Sequence, residues 1–256
     1  MAGETIKTEA ICLDVRPWSR TSHIVSWLTP NGKVTTVVKG AVRPKSQFLG
    51  QYDLNYECEI LYYARAKGEL HALRECVPVE RHDELRGDYR KLALAGYFRR
   101  LVAELAPQGE ECRAWYEELR RGIDFCASLT SISTGEATAK RPLGSCRETA
   151  SPLLRFELGI LRLSGLAPDF SKFDKTCEWA PFSVETGTFG ATEGRCIRVS
   201  REVADYLANG AEKAKNPQIP LDAARVIGVF YQFHLDCASD VRRTVLEMIS
   251  SGGRIN

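Results

Sequence analysis

The stretch that decides the fold is residues 15–52, VRPWSRTSHIVSWLTPNGKVTTVVKGAVRPKSQFLGQY, which pairs a β-hairpin pattern with a complete absence of acidic residues. Residues 22–29 (SHIVSWLT) and 33–39 (KVTTVVK) are rich in β-branched residues, which favour strands. Between them, Pro30, Asn31 and Gly32 form a turn signal in which glycine supplies the positive φ. The pattern predicts a hairpin.

The same stretch is strongly basic. Its 38 residues carry six bases and no acid, whereas the other 218 residues carry 29 bases and 33 acids, so the overall net charge of +2 hides a polarised molecule. At the average frequency of acids, about five would be expected here. The stretch indicates a surface for a polyanion, with nucleic acid as the first candidate and a merely solvated basic face as the alternative. The six predicted phosphate contacts are Arg16, Arg20, Lys33, Lys39, Arg43 and Lys45.

Aromatic residues are interleaved with these bases, as in single-strand binding sites where bases stack on aromatic rings. Trp27 lies in an apolar strand pattern and is predicted to be core. Trp18 lies between Pro17 and Ser19 in a turn, and Phe48 lies in the loop that follows the hairpin, where its ring need not be buried. Trp18 and Phe48 are therefore the predicted stacking residues.

Three further segments read as strands and complete a small barrel. They are residues 5–14, 52–62 and 70–77. In 52–62, Tyr56, Cys58 and Ile60 alternate with acids such as Glu57, which predicts one buried face and one wet face. Five antiparallel strands in about 80 residues predict a five-stranded OB-fold barrel, a fold that binds oligonucleotides. The predicted DNA-binding domain is residues 1–80.

Beyond Pro78 the hydrophobic period changes to that of a helix, so residues 81–256 are predicted to be a mainly helical domain and the fold class α+β. Asp88 and Ser200 are predicted helix caps, and Pro152 is expected in the first turn of its helix. Residues 130–151, rich in Ser, Thr and Gly, predict a mobile loop. The predicted helices cover about 89–106, 110–129, 152–165, 201–208, 221–235 and 239–250.

No motif argues for catalysis. The chain has no phosphate-loop, GxSxG or HExxH pattern, and its nine cysteines contain no CxxC pair, which is typical of buried thiols in a reducing compartment. No run of 18 apolar residues occurs and residues 1–10 lack a signal-peptide pattern, so we expect a cytoplasmic protein without membrane contact. Neither a cofactor nor an enzymatic activity is expected.

Two segments together resemble the RecO family of bacterial recombination mediators. The first is RPWSRTSHIVSWLTPNGKVTTVVKGAVRPKS, which contains KGAVRPKS at residues 39–46, and the second is LLRFELGILRLSGLAPDF, which contains the helical motif at Arg155–Leu161. Their order and spacing match the family. Arg20 departs from it, because an acidic residue often follows the RPWS-like motif there, and this change makes the face more basic.

The resemblance implies a non-catalytic, nucleoid-associated DNA-repair protein that binds single- and double-stranded DNA and anneals strands. It implies partnership with RecR and SSB, and indirectly with the recombinase RecA. The other class of function left open is a protein adaptor that grips SSB or RecR through its helical domain, with the barrel as a scaffold. For the acidic tail of SSB, the predicted helical-domain contacts are Arg155, Arg162, Arg120 and Arg121, with pairing of Arg155 to an acid such as Glu118 as the alternative.

Many family members carry a zinc ribbon with two CxxC pairs. Here Cys177 is followed three residues later by Ala180, and Cys196 by Val199, so each pair has lost one thiolate. A structural zinc site needs four ligands. The resemblance therefore implies a degenerate, metal-free, ribbon-like segment over residues 170–199.

Overall fold

The structure, a computed structural model, describes residues 4–65, 68–108, 112–129, 146–190, 193–211, 214, 216, 218–235 and 239–250. The chain divides into two compact units, Met1–Ala127 and Ser128–Asn256. Most of the predicted loop over 130–151 lies outside the described residues, although residues 146–151 are helical. None of the helices in the described ranges is both long and apolar enough to cross a bilayer.

The first unit contains a closed five-stranded barrel in the order β1-β2-β3-β5-β4, in which β4 pairs back with β1. Together with the helices that follow, this confirms the α+β class. The predicted hairpin is confirmed as β2 and β3, joined at the Thr29–Gly32 pair. The strands are β1 (Glu4–Ser19), β2 (Ser22–Thr29), β3 (Gly32–Val38), β4 (Glu57–Ala64) and β5 (Leu70–Glu80).

The prediction of an entirely antiparallel barrel is wrong at one junction. β3 and β5 run parallel, with Thr35 opposite Leu70 and Val37 opposite Ala72. The reason is geometric: strand direction alternates at each antiparallel junction, so a closed ring with an odd number of strands needs at least one parallel pair. The other four junctions are antiparallel.

The barrel core is built around Trp27, as predicted. Its side chain is fully buried, and its indole N–H donates to Thr36 Oγ1 over 2.9 Å, which satisfies the polar atom of a buried ring. Val25, Cys58 and Ile60 pack in the same cluster.

The predicted start of a strand at residue 52 is wrong, because β4 begins at Glu57. Asn55 adopts a positive φ of 68°, and its N–H donates to the carbonyl of Cys12 over 3.1 Å, so residues 52–56 form a turn that folds over β1. Glu57, predicted on the wet face of the strand, is buried and accepts hydrogen bonds from Tyr116 Oη and Arg120 Nε at 2.9 and 3.1 Å.

The first unit extends beyond the predicted boundary at residue 80 because the next helices bond to the barrel. A 3-10 helix (Asp83–Gly87), α1 (Tyr89–Leu105) and α2 (Arg113–Ser128) follow β5. The Arg99 guanidinium on α1 donates to the carbonyl of Leu13, and the α2 bonds to Glu57 tie α2 to β4. The predicted cap is confirmed: the Asp88 carboxylate accepts from the N–H of Arg90 over 3.0 Å.

In its described residues, the second unit combines four helices and a three-stranded sheet in the order β7-β6-β8. The expectation that Pro152 lies in the first turn of its helix is wrong, since α3 begins at Cys146. Ser200 caps α4 as predicted, accepting from the N–H of Val203 over 3.3 Å. The elements are α3 (Cys146–Leu163), β6 (Trp179–Ser183), β7 (Thr188–Phe189), β8 (Cys196–Ser200), α4 (Arg201–Ala208), α5 (Gln218–His234) and α6 (Ser239–Ser250).

Candidate nucleic-acid interface

Two basic segments meet at one end of the barrel. One is the β1–β2 turn, which contains Arg20 and Thr21, and the other is the basic loop, which we define as residues 39–51. The N–H of Val42 donates to the carbonyl of Thr21 over 3.3 Å, and the N–H of Gly40 donates to Ser22 Oγ over 3.3 Å. These two bonds bring the start of the basic loop against the turn.

The basic loop is itself tightly folded. The N–H of Arg43 donates to the carbonyl of Gly40 over 3.1 Å. The N–H of Ser46 donates to the carbonyl of Arg43 over 2.9 Å. Gly40 has a φ of 68°, and a Cβ on it would lie 3.3 Å from Cδ of Arg43, so glycine suits both the backbone and the side chain that crosses it. Ala41 and Phe48 are buried and anchor the loop to the core.

Four cations of the acid-free stretch are exposed at this end or along the loop. Arg20 lies in the turn, and Lys39, Arg43 and Lys45 lie on the basic loop. None of the four forms an ion pair with an acid in the part of the chain that the structure describes. Their charge is therefore available to an external anion.

Two of the six predicted cations already have a hydrogen-bond or ion-pair partner within the protein. Arg16 forms an ion pair with Asp14 on the same strand. Lys33 lies at the opposite end of the hairpin, and its Nζ donates to the carbonyl of Ala103 on α1 over 3.0 Å. Burial lowers the pKa of Lys33. The structure thus separates Lys33 from the other cations and gives it a structural partner.

The two predicted stacking residues have different environments. Trp18 is 60% exposed near the β1–β2 turn. Phe48 is only 9% exposed and belongs to the barrel core cluster, so the prediction that its ring is available for stacking is wrong. The loop turns its ring inward to the barrel core. One aromatic residue in a loop sequence does not reveal that direction.

Sequence reasoning missed two apolar side chains on the basic loop. Val42 is 47% exposed and Leu49 is 56% exposed. The apolar positions of the loop follow no strand or helix period, so nothing in the sequence distinguishes the buried Ala41 and Phe48 from these exposed neighbours. Tyr52, also near the loop, is fixed by a 2.9 Å hydrogen bond between its hydroxyl and His23 Nδ1.

Comparison with known proteins finds relatives of this barrel. Residues 1–82 match the family model described as Recombination protein O N terminal. The chain is 26% identical over 163 residues to the DNA repair protein RecO of Moorella thermoacetica, covering 63% of this chain and 54% of that protein. The barrel is thus similar to the N-terminal part of RecO proteins. The RecO protein of Alkaliphilus metalliredigens is 28% identical over 165 residues, covering 64% of this chain and 59% of that protein.

The match to RecO proteins is partial in length. A third relative, RecO of Syntrophobacter fumaroxidans, is 27% identical over 132 residues, or 51% of this chain and 52% of that protein. The alignments with the three RecO relatives therefore cover a little over half the length of each.

The arginines predicted from the RecO resemblance to hold an acidic tail fall in different units. Arg120 and Arg121 lie on α2 in the first unit, where Arg120 bonds to Glu57 and Arg121 pairs with Glu118 over 2.7 Å. Arg155 and Arg162 are exposed on α3 in the second unit.

Two of the concave regions in the described part of the second unit bear on the predicted tail site. Arg162 borders a cleft of about 190 Å³, which is small and includes the acidic Asp169. A larger groove of about 330 Å³ lies between β8 and α5 and is lined by aliphatic residues such as Val199 and Val226. We call this second region the β8–α5 groove. Its rim carries Trp179, which is 49% exposed, and Arg198, whose guanidinium carbon lies 5.5 Å from the Trp179 ring centre.

The structure shows where the two remaining cysteines of the ribbon-like segment lie. Ala180 does face Val199 across the β6–β8 ladder, but Cys196 faces Ser183, at the other end of the ladder from Trp179. Cys177 precedes Trp179, so the two cysteines lie toward opposite ends of the ladder. Within the described ranges, no three His, Cys, Asp or Glu side chains are grouped so that they could hold a metal ion.

Proposed function

We propose that this chain is a non-catalytic recombination mediator in DNA repair, which binds single- and double-stranded DNA through the barrel end that carries Arg20 and the basic loop. The observation that carries the proposal is the pair of hydrogen bonds from Val42 and Gly40 to the β1–β2 turn. They hold the start of the basic loop against the turn that contains Arg20 and that follows the exposed Trp18, in a stretch without acids. Cations and an exposed ring are what single-strand binding uses.

We also propose that the barrel is an OB-fold and that residues 1–80 form its DNA-binding part. In OB-folds, nucleic acid binds on the face of strands 2 and 3 and on the loops after strands 1 and 4. The β1–β2 turn, with Arg20, is the first of those loops, and Lys39 directly follows β3. The strand number and the location of the cations support this assignment.

The similarity to RecO proteins supports the wider role. We propose that the protein acts in the cytoplasm, associated with the nucleoid, anneals complementary strands, and works with RecR and SSB to help load the recombinase RecA. No catalytic step is needed for these roles, because each is a matter of binding and exchange of partners.

Anisotropy titrations of a labelled single-stranded oligonucleotide against the wild type and the double variant Arg43→Glu, Lys45→Glu test the DNA-binding proposal. Reversing two exposed charges should weaken binding across all sequences. Equal affinities of the two proteins, with the variant folded by circular dichroism, would contradict the proposal.

A second candidate function, that of an adaptor for an acidic protein tail, is favoured by the β8–α5 groove. SSB tails are acidic and end in phenylalanine, and the groove offers aliphatic walls with Arg198 at its rim. Arg225 also lines the groove, where it pairs with Asp222 over 3.0 Å. We propose it as the tail site, with Arg155 and Arg162 of α3 as the alternative. A labelled tail peptide titrated against Arg198→Gln and, separately, Arg155→Gln distinguishes the two, because the loss of affinity identifies the site.

A further inference from the structure

An apolar tip lies among the cations of the proposed DNA site. We define it as Trp18 and Val42, whose side chains are 60% and 47% exposed. Val42 is held to the β1–β2 turn by its N–H bond to Thr21, and Trp18 lies one residue before Ser19, which pairs with Ser22 at the same turn. The two side chains therefore project from neighbouring backbone at one end of the barrel.

Trp18 occupies a β-bulge. Pro17 pairs with His23, and the next pair is Ser19 with Ser22, so β1 advances two residues while β2 advances one. A bulge leaves its extra residue outside the ladder and redirects that side chain. This explains why a large aromatic residue on a barrel strand is exposed.

Val42 is fixed before any ligand arrives. Its neighbour Ala41 is 3% exposed, and its own N–H is bonded to the β1–β2 turn. A side chain held on such a backbone loses little further freedom on binding. Positive charges lie near the tip along the chain. Arg20 is in the β1–β2 turn, and Lys39 and Arg43 are on the basic loop.

We infer that the apolar tip inserts at a base step that is already unstacked, so that a duplex with a one-nucleotide gap binds more tightly than the same duplex intact. This inference rests on the proposed DNA binding. Apolar wedges inserted between base steps must unstack them, and a gap removes that cost. The cations then contact the phosphates on either side while the indole stacks on the exposed base.

The test uses two labelled duplexes of the same length and sequence, one intact and one with a central one-nucleotide gap. Wild type should favour the gapped duplex by about fivefold or more, the factor that one stacked base supplies. Trp18→Ala and Val42→Ser should each reduce that preference. Tyr89→Ala and Val77→Ser are the matched controls, since these residues are 50% and 55% exposed in the same unit outside the basic stretch.

A fluorescent adenine analogue, 2-aminopurine, placed beside the gap gives an independent readout. Stacking on Trp18 should change its emission, and Trp18→Ala should abolish the change. Equal affinity of wild type for both duplexes, or a gap preference that survives in Trp18→Ala, would overturn the inference. If Arg43→Glu, Lys45→Glu still weakens binding to every DNA in that case, the proposed function stands without the inserted tip; if wild type binds no DNA, both fail.

Discussion

Neutralising Lys39 and Arg43 together should halve the salt dependence of single-strand binding. Four exposed cations, the two just named with Arg20 and Lys45, have no acidic partner among the described residues. Each phosphate contact on a single strand contributes about −0.7 to the slope of log K against log salt. The wild type should therefore show a slope of about −2.8, and the Lys39→Gln, Arg43→Gln variant about −1.4.

These slopes correspond to affinity losses that are easily separated. Between 50 and 200 mM salt, the wild type should lose roughly 50-fold in affinity and the double variant roughly sevenfold. Anisotropy titrations with a labelled oligonucleotide at four salt concentrations measure both. Arg81→Gln, which removes an exposed cation from the same unit outside the basic stretch, should leave the slope unchanged.

The reasoning also predicts a difference between cations that the sequence treats alike. Lys33→Gln should barely change the slope, because its ammonium group is bonded to the carbonyl of Ala103. A double variant with the wild-type slope would refute the assignment of Lys39 and Arg43 to phosphate contacts. A large effect of Lys33→Gln on the slope would refute the distinction drawn from burial.

Three further predictions concern stability and the second unit. Glu57→Ala should lower the free energy of unfolding by about 2 to 4 kcal/mol in urea denaturation, because it leaves the buried Tyr116 hydroxyl without its acceptor; Glu57→Gln, which keeps an oxygen acceptor, should cost less. Burial opposes ionisation of Asp88, but its bonds from Arg90 outweigh this and lower its pKa, so its stabilising contribution is present at neutral pH and lost as the pH falls through the folded-state pKa. The stability difference between wild type and Asp88→Asn should accordingly shrink toward pH 2 in acid titrations, and a constant difference would contradict the linkage. Trp179→Ala should weaken binding of an acidic, phenylalanine-ended peptide without changing DNA affinity, and a changed DNA affinity would place the groove within the DNA site.

Much of the barrel could be predicted because local sequence patterns indicate its strands. The hairpin of β2 and β3 follows from β-branched runs around a Pro-Asn-Gly turn, and the burial of Trp27 follows from its place in that pattern. The caps at Asp88 and Ser200 were equally local, since a short polar side chain accepts from backbone N–H groups two or three residues ahead.

The fold predictions were wrong where segments from far along the chain determine the environment of a residue or strand. Glu57 follows an alternating pattern that predicts an exposed side chain, yet α2 covers it and supplies two hydrogen bonds. The parallel β3–β5 pair follows from closing a ring of five strands, which no single strand encodes.

By itself, the sequence determined that residues 15–52 would be basic, free of acids and folded as a hairpin, because charge and hydrophobic period are properties of the residues themselves. Only the tertiary structure decided which of those residues face an outside ligand. Phe48 turns into the core and Lys33 bonds to a helix, whereas a bulge exposes Trp18. Whether a side chain can contact a ligand depends on the direction of its backbone and on partners from distant parts of the chain. A local sequence pattern specifies neither.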